Sequence, residues 1–585
     1  VPDSLATDTV PIVILPVFAE GKPAGWGNGV WEWGPEDLLT TRAMSVLELL
    51  DQVPGLVLHR GGDYAQPVAV SGFGGAGGRL RIIWDGIELP AMESGVPDLA
   101  RIGLGGVGRV RVTRRLGETR VELFTRIWNE HRPYSVIEAG TGDLDTNVFR
   151  GTFVDAQRLR GSLGVSLDRL DTDGPDRSQP GTISGAWLRY ALHFSDRGGF
   201  QVQYRRMTSR RGDIYFPDRL TQTDWAARLR YQLGFGLLSE AYVASSGLKG
   251  DEEIAEGDTT QIGRIPGRSQ VGLRLGWQGS GFWIDGDYRR QGGRGWPEQV
   301  LEARAGVDGR RWGGLEGTFR SETWTDTGGT GVLRLSAWSP DLFGFSVFGE
   351  WEDGSTGVPD IGYGRTRYDD PLDPGTIIVD SVTVPHVTER SGYRVGARFA
   401  RGGIDLGAAR LRIESDSLVP LGLPMDAEGV VLPGGERQGW EAYGTLPLWP
   451  RGVGIAGGLE IWDEIEGEEW RYLPRRSWRG ELRFHRTFLP SGNLEVRAAV
   501  GVRGRDGMQV PLIQEPDVDD PPDAILLQSV PYYQSWFFHL NIRILTVRAF
   551  LRAENLANRL ENQDYPGVML TGLRTMYGIR WTLFN

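Results

Sequence analysis

From about residue 134 to the C-terminus, apolar and polar residues alternate in segments of about ten residues. The segment 282–289 shows the pattern, because one face of an extended chain would carry Phe282, Ile284 and Tyr288. The opposite face would carry Asp285, Asp287 and Arg289. The same division recurs at 200–205, 271–277 and 577–583. Each predicted strand therefore has one face suited to hydrocarbon and one suited to water.

The number and spacing of these segments separate two classes of β-protein. A soluble sandwich also alternates, but it rarely continues through about 22 segments without a domain break. Short and long connections alternate here, as in membrane barrels. Aromatic residues recur near the predicted strand ends, where an interfacial girdle would lie: Phe194, Trp277, Trp351, Trp462 and Trp581. We therefore predict a mainly β fold, a transmembrane antiparallel β-barrel of about 22 strands over residues 129–585.

The N-terminal part of the chain has a different texture. Residues 1–35 are rich in Pro and Gly and predict a flexible arm. Residues 36–128 combine a short amphipathic helix behind Ser45 with brief strands at 56–58, 68–70, 80–84 and 110–112. They predict a small α+β domain.

Composition removes several classes of protein. No run approaches the roughly 20 apolar residues that a membrane helix needs. The chain has no Cys, so thiol chemistry and disulfides are not available. The net charge of −12 argues against nucleic acid as a partner. The first residues do not resemble a signal peptide, and we expect that such a peptide has been removed.

The sequence provides little support for catalysis. The glycine-rich stretch 72–78 lacks the Lys-Ser/Thr of a phosphate-binding loop, and no helical pattern follows it. The six histidines are scattered without metal-ligand spacing. A Ser–His pair formed across strands by His193 or His485 is the remaining catalytic alternative. We predict that the protein is not an enzyme.

Acidic clusters fall within the longest predicted connections. One contains Asp369, Asp370 and Asp373, and another contains Asp517, Asp519 and Asp520. Oxygen-rich loops bind Ca²⁺ or attract cationic ligands, so these residues form a candidate Ca²⁺ or ligand site. The alternative is that the loops are acidic because they are solvated.

Three stretches of the N-terminal domain carry a family resemblance. In order they are VLELLDQVPGL at 46–56, VAVSGFG at 68–74 with IIWDGIEL at 82–89, and GRVRV at 108–112. They resemble the plug of TonB-dependent receptors, which implies that residues 36–128 form a plug domain in the barrel lumen. The matching positions are Pro54, Gly55, Gly72, Phe73, Gly74, Asp85 and Gly86. Near the C-terminus, 554–559 resembles the turn before this family's last hairpin, and the final strand ends at Phe584.

The chain departs from the family pattern at two places. Ser71-Gly72 stands where family plugs commonly have Arg-Gly. The Gly-Pro and Tyr-Gly loop that usually follows the last plug strand is absent, and 113–118 lead directly to 121–126. The resemblance therefore implies a shortened plug, and the shortening bears on whether the plug rearranges as in relatives.

The arm contains a candidate coupling segment. It consists of Asp8, Thr9, Val10, Pro11, Ile12 and Val13, which resemble the family's TonB box. An extended Thr/Val/Ile segment on a flexible arm can add to the sheet edge of a partner. The resemblance implies a periplasmic TonB-like energising protein as that partner. The alternative is an ordinary apolar arm segment.

The resemblance implies a function as well as a fold. A family member would sit in the lipid of the bacterial outer membrane and take up a scarce ligand with energy from its periplasmic partner. Siderophores, cobalamin-like molecules, oligosaccharides and peptides are all compatible. The alternative is a sealed barrel scaffold that anchors a surface lipoprotein or other protein partner without transport. A passive pore is disfavoured by the plug.

Overall fold

The structure is a computed structural model. It describes residues 12–584 except 74–79, 93–94, 176–179, 213–218, 251–266, 294–295, 310, 326–327, 359–366, 371–372, 380–385, 422, 424–430, 449–450, 465–470 and 513–526.

The N-terminal domain is a small α+β unit. Its elements are β1 (Val30–Trp33), α1 (Pro35–Thr40), α2 (Val46–Leu50), β2 (Leu56–Arg60), β3 (Val68–Gly72), β4 (Leu80–Trp84), β5 (Ile87–Leu89), β6 (Val107–Arg114) and β7 (Thr119–Thr125). Five of the strands form one sheet in the order β1-β6-β7-β4-β5, in which β4 and β7 are parallel. Strands β2 and β3 pair separately as a hairpin. This unit is the plug domain.

The predicted helix start is confirmed. Ser45 is the N-cap of α2, and its Oγ accepts a hydrogen bond from Glu48 N at 3.4 Å. Glu48 returns the interaction, because its Oε2 accepts from Met44 N at 2.7 Å. These two bonds satisfy N–H groups at the helix start that have no intrahelical acceptor. α2 is therefore fixed at its first turn even though it spans only five residues.

The plug has its own apolar core between α2 and the sheet. The side chains that are completely buried there are Val46, Leu49, Leu50, Ile82, Val110, Val112, Val121 and Leu123. They come from one face of α2 and from alternate positions of the central strands, as amphipathic elements require. The plug is thus a packed domain rather than a loose filling of the lumen.

The rest of the described chain is β-structure. Its first strands are β8 (Tyr134–Gly142), β9 (Thr146–Asp155), β10 (Gly161–Thr172), β11 (Gly181–Ser195), β12 (Gly198–Arg210), β13 (Arg219–Gln232), β14 (Leu237–Gly250), β15 (Arg268–Gln278), β16 (Phe282–Gly292), β17 (Gln299–Gly309), β18 (Gly313–Trp324), β19 (Gly328–Trp338) and β20 (Phe345–Val358). The remaining strands are β21 (Arg367–Asp370), β22 (Asp373–Val379), β23 (His386–Arg401), β24 (Ile404–Leu418), β25 (Leu432–Leu448), β26 (Val453–Trp462), β27 (Arg476–Thr487), β28 (Leu494–Arg505), β29 (Met508–Pro511), β30 (Leu527–Val530), β31 (Tyr533–Ile544), β32 (Val547–Glu554), β33 (Gln563–Tyr565), β34 (Val568–Met569) and β35 (Arg574–Phe584). Short 3₁₀ turns lie at Leu99–Arg101, Arg158–Arg160 and Gly234–Gly236.

Twenty-two of these strands close into one antiparallel barrel, as predicted. The last strand, β35, pairs with the first, β8, so the ladder has no free edge. The pairs β21–β22, β29–β30 and β33–β34 are separate hairpins in the long connections. Closure satisfies the backbone hydrogen bonds within the sheet, which a structure surrounded by hydrocarbon requires.

The two ends of the barrel differ. At one end, called here the turn side, short connections join the strands, for example at 196–197 and 402–403. At the other, called the loop side, long connections join them, for example at 251–267 and 506–532. Membrane barrels place short turns towards the periplasm and long loops outside.

The outer and inner faces of the wall have the predicted division. In β16, the outward Phe282, Ile284 and Tyr288 are 58%, 54% and 46% exposed. Asp285 and Arg289 point inward and are buried. The apolar face of the barrel is thus on the outside, where it would contact lipid.

Exposed aromatic residues cluster near the turn side. They include Phe194, Phe235, Trp277, Phe282, Trp312, Phe343 and Phe345. Aromatic rings at this level match a membrane–water interface. The prediction that Trp462 belongs to such a girdle is wrong. Trp462 points inward, is buried, and packs against Phe73 of the plug with ring centroids 6.2 Å apart.

The arm and plug meet before the predicted boundary at residue 36. Strand β1 pairs with β6 in the register Val30↔Thr113, so it extends the plug sheet into the segment assigned to the arm. At the other end, the plug sheet ends at Thr125 and the barrel begins at Tyr134. None of the helices in the described part of the chain is long and apolar enough to cross a membrane.

A charge on the outer face tests which surface contacts lipid. Leu273 lies at the middle of β15, is 49% exposed and faces outward between Ala241 and Tyr288. We expect Leu273→Arg to destabilise the membrane-inserted barrel by about 2–4 kcal/mol, because an unpaired cation would lie in hydrocarbon. Leu273→Ile is the matched control and should assemble normally. Equal heat-modifiable gel mobility and equal urea stability of the two variants would contradict the lipid-facing assignment.

Candidate functional site

Three of the plug motif residues, Pro54, Gly55 and Phe73, converge on one arginine. Arg114, at the end of β6, donates from Nη1 to the carbonyl oxygen of Pro54. Its guanidinium lies 4.2 Å from the centroid of the Phe73 ring. A Cβ added to Gly55 would lie 2.1 Å from Arg114 Nη1, and Gly55 has φ +79. Glycine is therefore required here both by its backbone conformation and by the close approach of the side chain.

Arg114 joins the plug to the barrel wall. Its Nη2 donates to Glu441 Oε2 at 2.6 Å, and its Nη1 donates to Glu460 Oε1 at 3.2 Å. Glu441 also accepts from Arg394, which donates onward to the backbone oxygens of Trp26 and Gly27. Arg114 and Glu441 are each 1% exposed. We call Arg114, Arg394, Glu441 and Glu460 the first ion-pair network.

A second ion-pair network lies against the neighbouring strands of the wall, β16–β20. Arg81 of the plug contacts the plug residues Glu88 and Glu118 and the wall residue Glu302, at 2.6, 3.3 and 3.1 Å. The wall supplies the other cations of the network, which are Arg289, Arg320 and Arg334. Burial alone would raise the pKa of Glu118, but Arg81, Arg334 and Arg115 outweigh it and hold this pKa at about 2.

A third ion-pair network fixes the helical part of the plug. Arg42 contacts Asp51 at 3.0 Å and Glu554 of the wall at 2.7 Å. Arg552 of the wall contacts Glu48 at 2.7 Å, and the Tyr64 hydroxyl donates to the same carboxylate at 2.7 Å. Glu48, whose carboxylate helps to cap α2, therefore also attaches the plug to the barrel.

Asp85 and Gly86 lie elsewhere and have a different role. They form the two-residue turn between β4 and β5, with φ +48 and +89. Positive φ at both positions is what tight hairpins need, and Asp and Gly tolerate it. Asp85 Oδ1 also accepts from Thr125 N at 2.9 Å, which ties this turn to the end of β7.

Loop-side segments cover part of the plug with apolar contacts. Val57, Ala69 and Val96 of the plug form one buried cluster with Leu421, Leu423, Tyr472, Met508, Val510, Val530 and Tyr565. We call this contact the outer cover. His59 lies beside it, with its ring centroid 5.3 Å from that of Tyr472 and its Nε2 2.8 Å from Ser71 Oγ.

The arm lies at the turn side, inside the wall. The Phe18 ring has Arg274 4.0 Å and Arg230 5.5 Å from its centroid. Arg230 donates to Pro16 O at 2.9 Å, and Arg304 donates to Ala19 O at 2.6 Å. Ile12 and Val13 of the candidate coupling segment are partly buried, whereas Asp8, Thr9, Val10 and Pro11 fall outside the described residues.

The other candidates from the sequence are placed only in part. Asp369, Asp370 and Asp373 have described backbone in the β21–β22 hairpin, and Asp517, Asp519 and Asp520 fall outside the described residues, as does Gly74. Where side chains are described, no group of three His, Asp or Glu residues could hold a metal ion. A Ca²⁺ site in the acidic loops stays a prediction. His485 contacts Glu495 at 2.8 Å rather than a serine.

Sequence reasoning missed the partners of the plug. Arg114, Arg81 and Arg42 are ordinary charged residues in the sequence, and their carboxylate partners in the wall lie hundreds of positions away. A usable signal existed only for Pro54 and Gly55, whose motif positions mark the close approach of Arg114.

The fold and these interfaces define a class of protein: a membrane-spanning barrel filled by a separately folded plug. Residues 30–121 match the family model described as TonB-dependent Receptor Plug Domain. The chain thus contains a plug of that family inside a 22-stranded barrel, which is the architecture of the TonB-dependent receptors of the bacterial outer membrane. No curated protein sequence matches the chain.

Solved structures with the same fold include three iron-related receptors. The siderophore receptor PirA from Acinetobacter baumannii has a TM-score of 0.68 at 10% identity, covering 95% of this chain and 99% of that one. A mutant of the ferric enterobactin receptor PfeA from Pseudomonas aeruginosa has a TM-score of 0.68 at 11% identity, covering 95% and 98%. The FrpB iron transporter from Neisseria meningitidis has a TM-score of 0.66 at 11% identity, covering 95% and 100%.

Removing Arg114 tests whether the first ion-pair network holds the plug. We expect Arg114→Gln to weaken plug attachment by roughly 3–5 kcal/mol, because Glu460 and Glu441 stay buried with a cation missing. Arg109→Gln on the same strand, where the side chain is 27% exposed, should cost about 1 kcal/mol or less. Urea titration of plug release and conductance in planar bilayers measure the difference. Equal plug stability in the two variants would contradict the assignment.

Acid should loosen the outer cover through His59. Burial lowers the pKa of His59 to about 3, with Asp564 opposing this effect and Arg505 and Arg60 reinforcing it. The folded pKa of His59 lies below its unfolded value. The contribution of neutral His59 to the stability of the outer cover is therefore complete above about pH 6.5 and falls as the pH drops towards 3. At pH 5 the loss should be about 2 kcal/mol.

Hydrogen exchange of the β29–β30 hairpin measures this loss. At pH 7 the hairpin should exchange at the same rate in wild type and in His59→Gln. At pH 5 it should exchange faster in wild type than in the variant. Comparison at a common pH removes the intrinsic pH dependence of exchange. An equal ratio of wild-type to variant exchange rates at pH 7 and pH 5 would show that His59 does not control the outer cover.

Proposed function

We propose that this protein takes up a ferric siderophore across the bacterial outer membrane, driven by a periplasmic TonB-like partner that pulls the arm. The observation that carries the proposal is the nature of the plug–wall contact. Charged pairs from Arg114, Arg81 and Arg42 connect the plug to the wall at three places. Such pairs can exchange their partners for water, whereas a continuous apolar interface would resist separation.

The dimensions of the interface support movement of the plug. The cavities along the three contacts have volumes of about 140, 70 and 100 Å³. Ligand pockets for drug-sized molecules occupy about 300–1,000 Å³. A siderophore could therefore cross only after the plug shifts or partly leaves, which calls for external work.

The position of the arm supports a pull from the periplasm. Residues 12–20 lie at the turn side, and the segment 30–33 continues directly into the plug sheet. A force on residues 8–13 would therefore act on β1 and β6, and through Arg114 at the end of β6 on the first ion-pair network. We propose residues 8–13 as the segment that pairs with the partner's sheet edge.

The choice of ligand class follows the relatives. The structures described as siderophore, ferric enterobactin and iron receptors share the fold over nearly their whole length. Cobalamin-like molecules, oligosaccharides and peptides are the competing ligand classes. Acidic loop residues, including Asp369, Asp370, Asp373, Asp517, Asp519 and Asp520, are candidates for ligand or Ca²⁺ contacts.

The outer cover favours a second function, a sealed scaffold that anchors a surface lipoprotein or another protein. An apolar cluster that includes Val57, Ala69, Val510 and Tyr565 closes part of the loop side over the plug. Such a contact would be permanent in a scaffold and reversible in a receptor. Transport of any ligand by the intact protein distinguishes the two.

A proline in the coupling segment tests energised uptake. Cells that lack their own receptors would express the protein and receive ⁵⁵Fe complexes of catecholate and hydroxamate chelators, with cobalamin as a non-ferric comparison. We expect one ferric chelate to accumulate, and Ile12→Pro to abolish accumulation without changing surface level or chelate binding, because proline removes a strand donor. Val17→Pro, at an exposed arm position outside the segment, is the control and should transport normally.

Two results would contradict the proposal. Undiminished accumulation in Ile12→Pro would exclude coupling through residues 8–13. Failure of the wild type to accumulate any ferric chelate, with stoichiometric recovery of a partner protein, would support the scaffold instead.

A further inference from the structure

A cavity of about 360 Å³ lies at the turn side, between the arm, the plug and the wall. Arm residues 12–20 form one boundary, the Asp85–Gly86 turn and β6 form a second, and wall strands β10–β17 form the third. Its volume falls in the range of small-molecule sites. It is more than twice the volume of the cavity of about 140 Å³ on the loop side of the plug.

The lining of this cavity is strongly basic. Eight arginines and three carboxylates line it. Six of these arginines have carboxylate partners: Arg109 and Arg111 contact Glu20 and Glu32, Arg228 and Arg230 contact Glu240, and Arg274 and Arg304 contact Asp285. Arg189 has only neutral partners in the described structure, Ser162 Oγ at 3.2 Å and Gln201 Oε1 at 3.0 Å. The surplus of positive charge favours an anion.

Unused hydrogen-bonding atoms define what the cavity would bind. Arg189 Nε and Arg228 Nη2 have no acceptor among the described residues, although these side chains are only 6% and 3% exposed. Asp85 Oδ2, which belongs to the turn held by Arg228, has no donor there either. Buried polar atoms without partners are costly, so a ligand that satisfies them gains affinity from doing so.

The geometry points to a ligand site in this cavity for an oxyanion that also carries a hydroxyl or amine donor. The oxyanion would accept from Arg189 and Arg228, and the donor group would bond to Asp85 Oδ2. The inference rests on the proposed function only in placing this site on the ligand's exit route to the periplasm.

The arm contacts three other arginines that line the same cavity. Its backbone oxygens at Pro16 and Ala19 already accept from Arg230 and Arg304, and the Phe18 ring covers Arg274. Withdrawal of the arm would release these guanidinium groups to the oxyanion. By linkage, the arm weakens oxyanion binding and a bound oxyanion favours arm release by the same factor. A pull on the arm would therefore increase the affinity of the exit route as the plug opens.

Citrate is the probe for this site, with tricarballylate as its counterpart that lacks the hydroxyl. Binding would be measured by equilibrium dialysis on the purified full chain in detergent. Arg189→Gln should weaken citrate binding about tenfold or more, the loss expected for a charged hydrogen bond. Arg197→Gln, at an exposed turn-side position away from the cavity, should bind like wild type. Tricarballylate should bind more weakly than citrate, because it leaves Asp85 without a donor.

Arm coupling has its own variants, which leave Arg189, Arg228 and Asp85 unchanged. The chain has no Cys, and a Cβ at Gly276 would lie 2.6 Å from the Phe18 ring, so Phe18→Cys with Gly276→Cys places two thiols at one arm–wall contact, where a disulfide would lock the arm. The oxidised form should bind citrate more weakly than the same protein after reduction. Deletion of residues 1–19 should strengthen binding. Gel mobility shows that each variant has assembled.

Each outcome bears on the site separately from uptake. Absence of citrate binding in both wild type and the arm deletion, equal binding by Arg189→Gln, or equal binding by the locked and reduced forms would overturn the inference. If citrate binds as expected while no ferric chelate accumulates in cells, the proposed function alone fails. If uptake is normal and citrate does not bind, this site alone fails.

Discussion

The inward-facing charge of the barrel wall is the constraint on which the structure depends. A barrel of 22 strands is too wide for its own side chains to fill, so the polar face of every strand needs water or another domain as its partner. The plug supplies that partner. Arg114, Arg81 and Arg42 meet wall carboxylates, and wall arginines such as Arg552 meet plug carboxylates in return.

This arrangement separates folding from attachment. The plug is stabilised by its own apolar core of α2 and the central strands, while contact with the wall is made largely through ions. Moving a domain of this kind does not expose its core. It does require that buried charges regain either water or new partners. This exchange needs external work, but it is reversible. The outer cover is the largest exception, because there the contact is apolar. Smaller apolar contacts join Phe73 to Trp462 and Ile87 to Tyr242.

Positive charge is distributed unevenly along the lumen. Close to the plug core, arginines and carboxylates are matched in compact networks. At the turn side, arginines exceed carboxylates, and backbone oxygens of the arm take part of the surplus. The arm thus binds a basic surface through its backbone oxygens and the Glu20 carboxylate, and it also connects to the plug. Under the proposed function, release of the arm would change the electrostatics of the turn side as well as transmit force.

The sequence alone determined the barrel class, the inward and outward faces of strands such as β16, and the start of α2 at Ser45, because each depends on local periodicity or on one capping residue. The motif also located Gly55 and the Asp85–Gly86 turn, where backbone conformation restricts residue type. Only the tertiary structure decided that Trp462 faces the plug rather than lipid, and that Arg114 pairs with Glu441 and Glu460. Those contacts join positions hundreds of residues apart, and a charged or aromatic residue on a strand has no local signal for the partner that closure of a barrel brings to it.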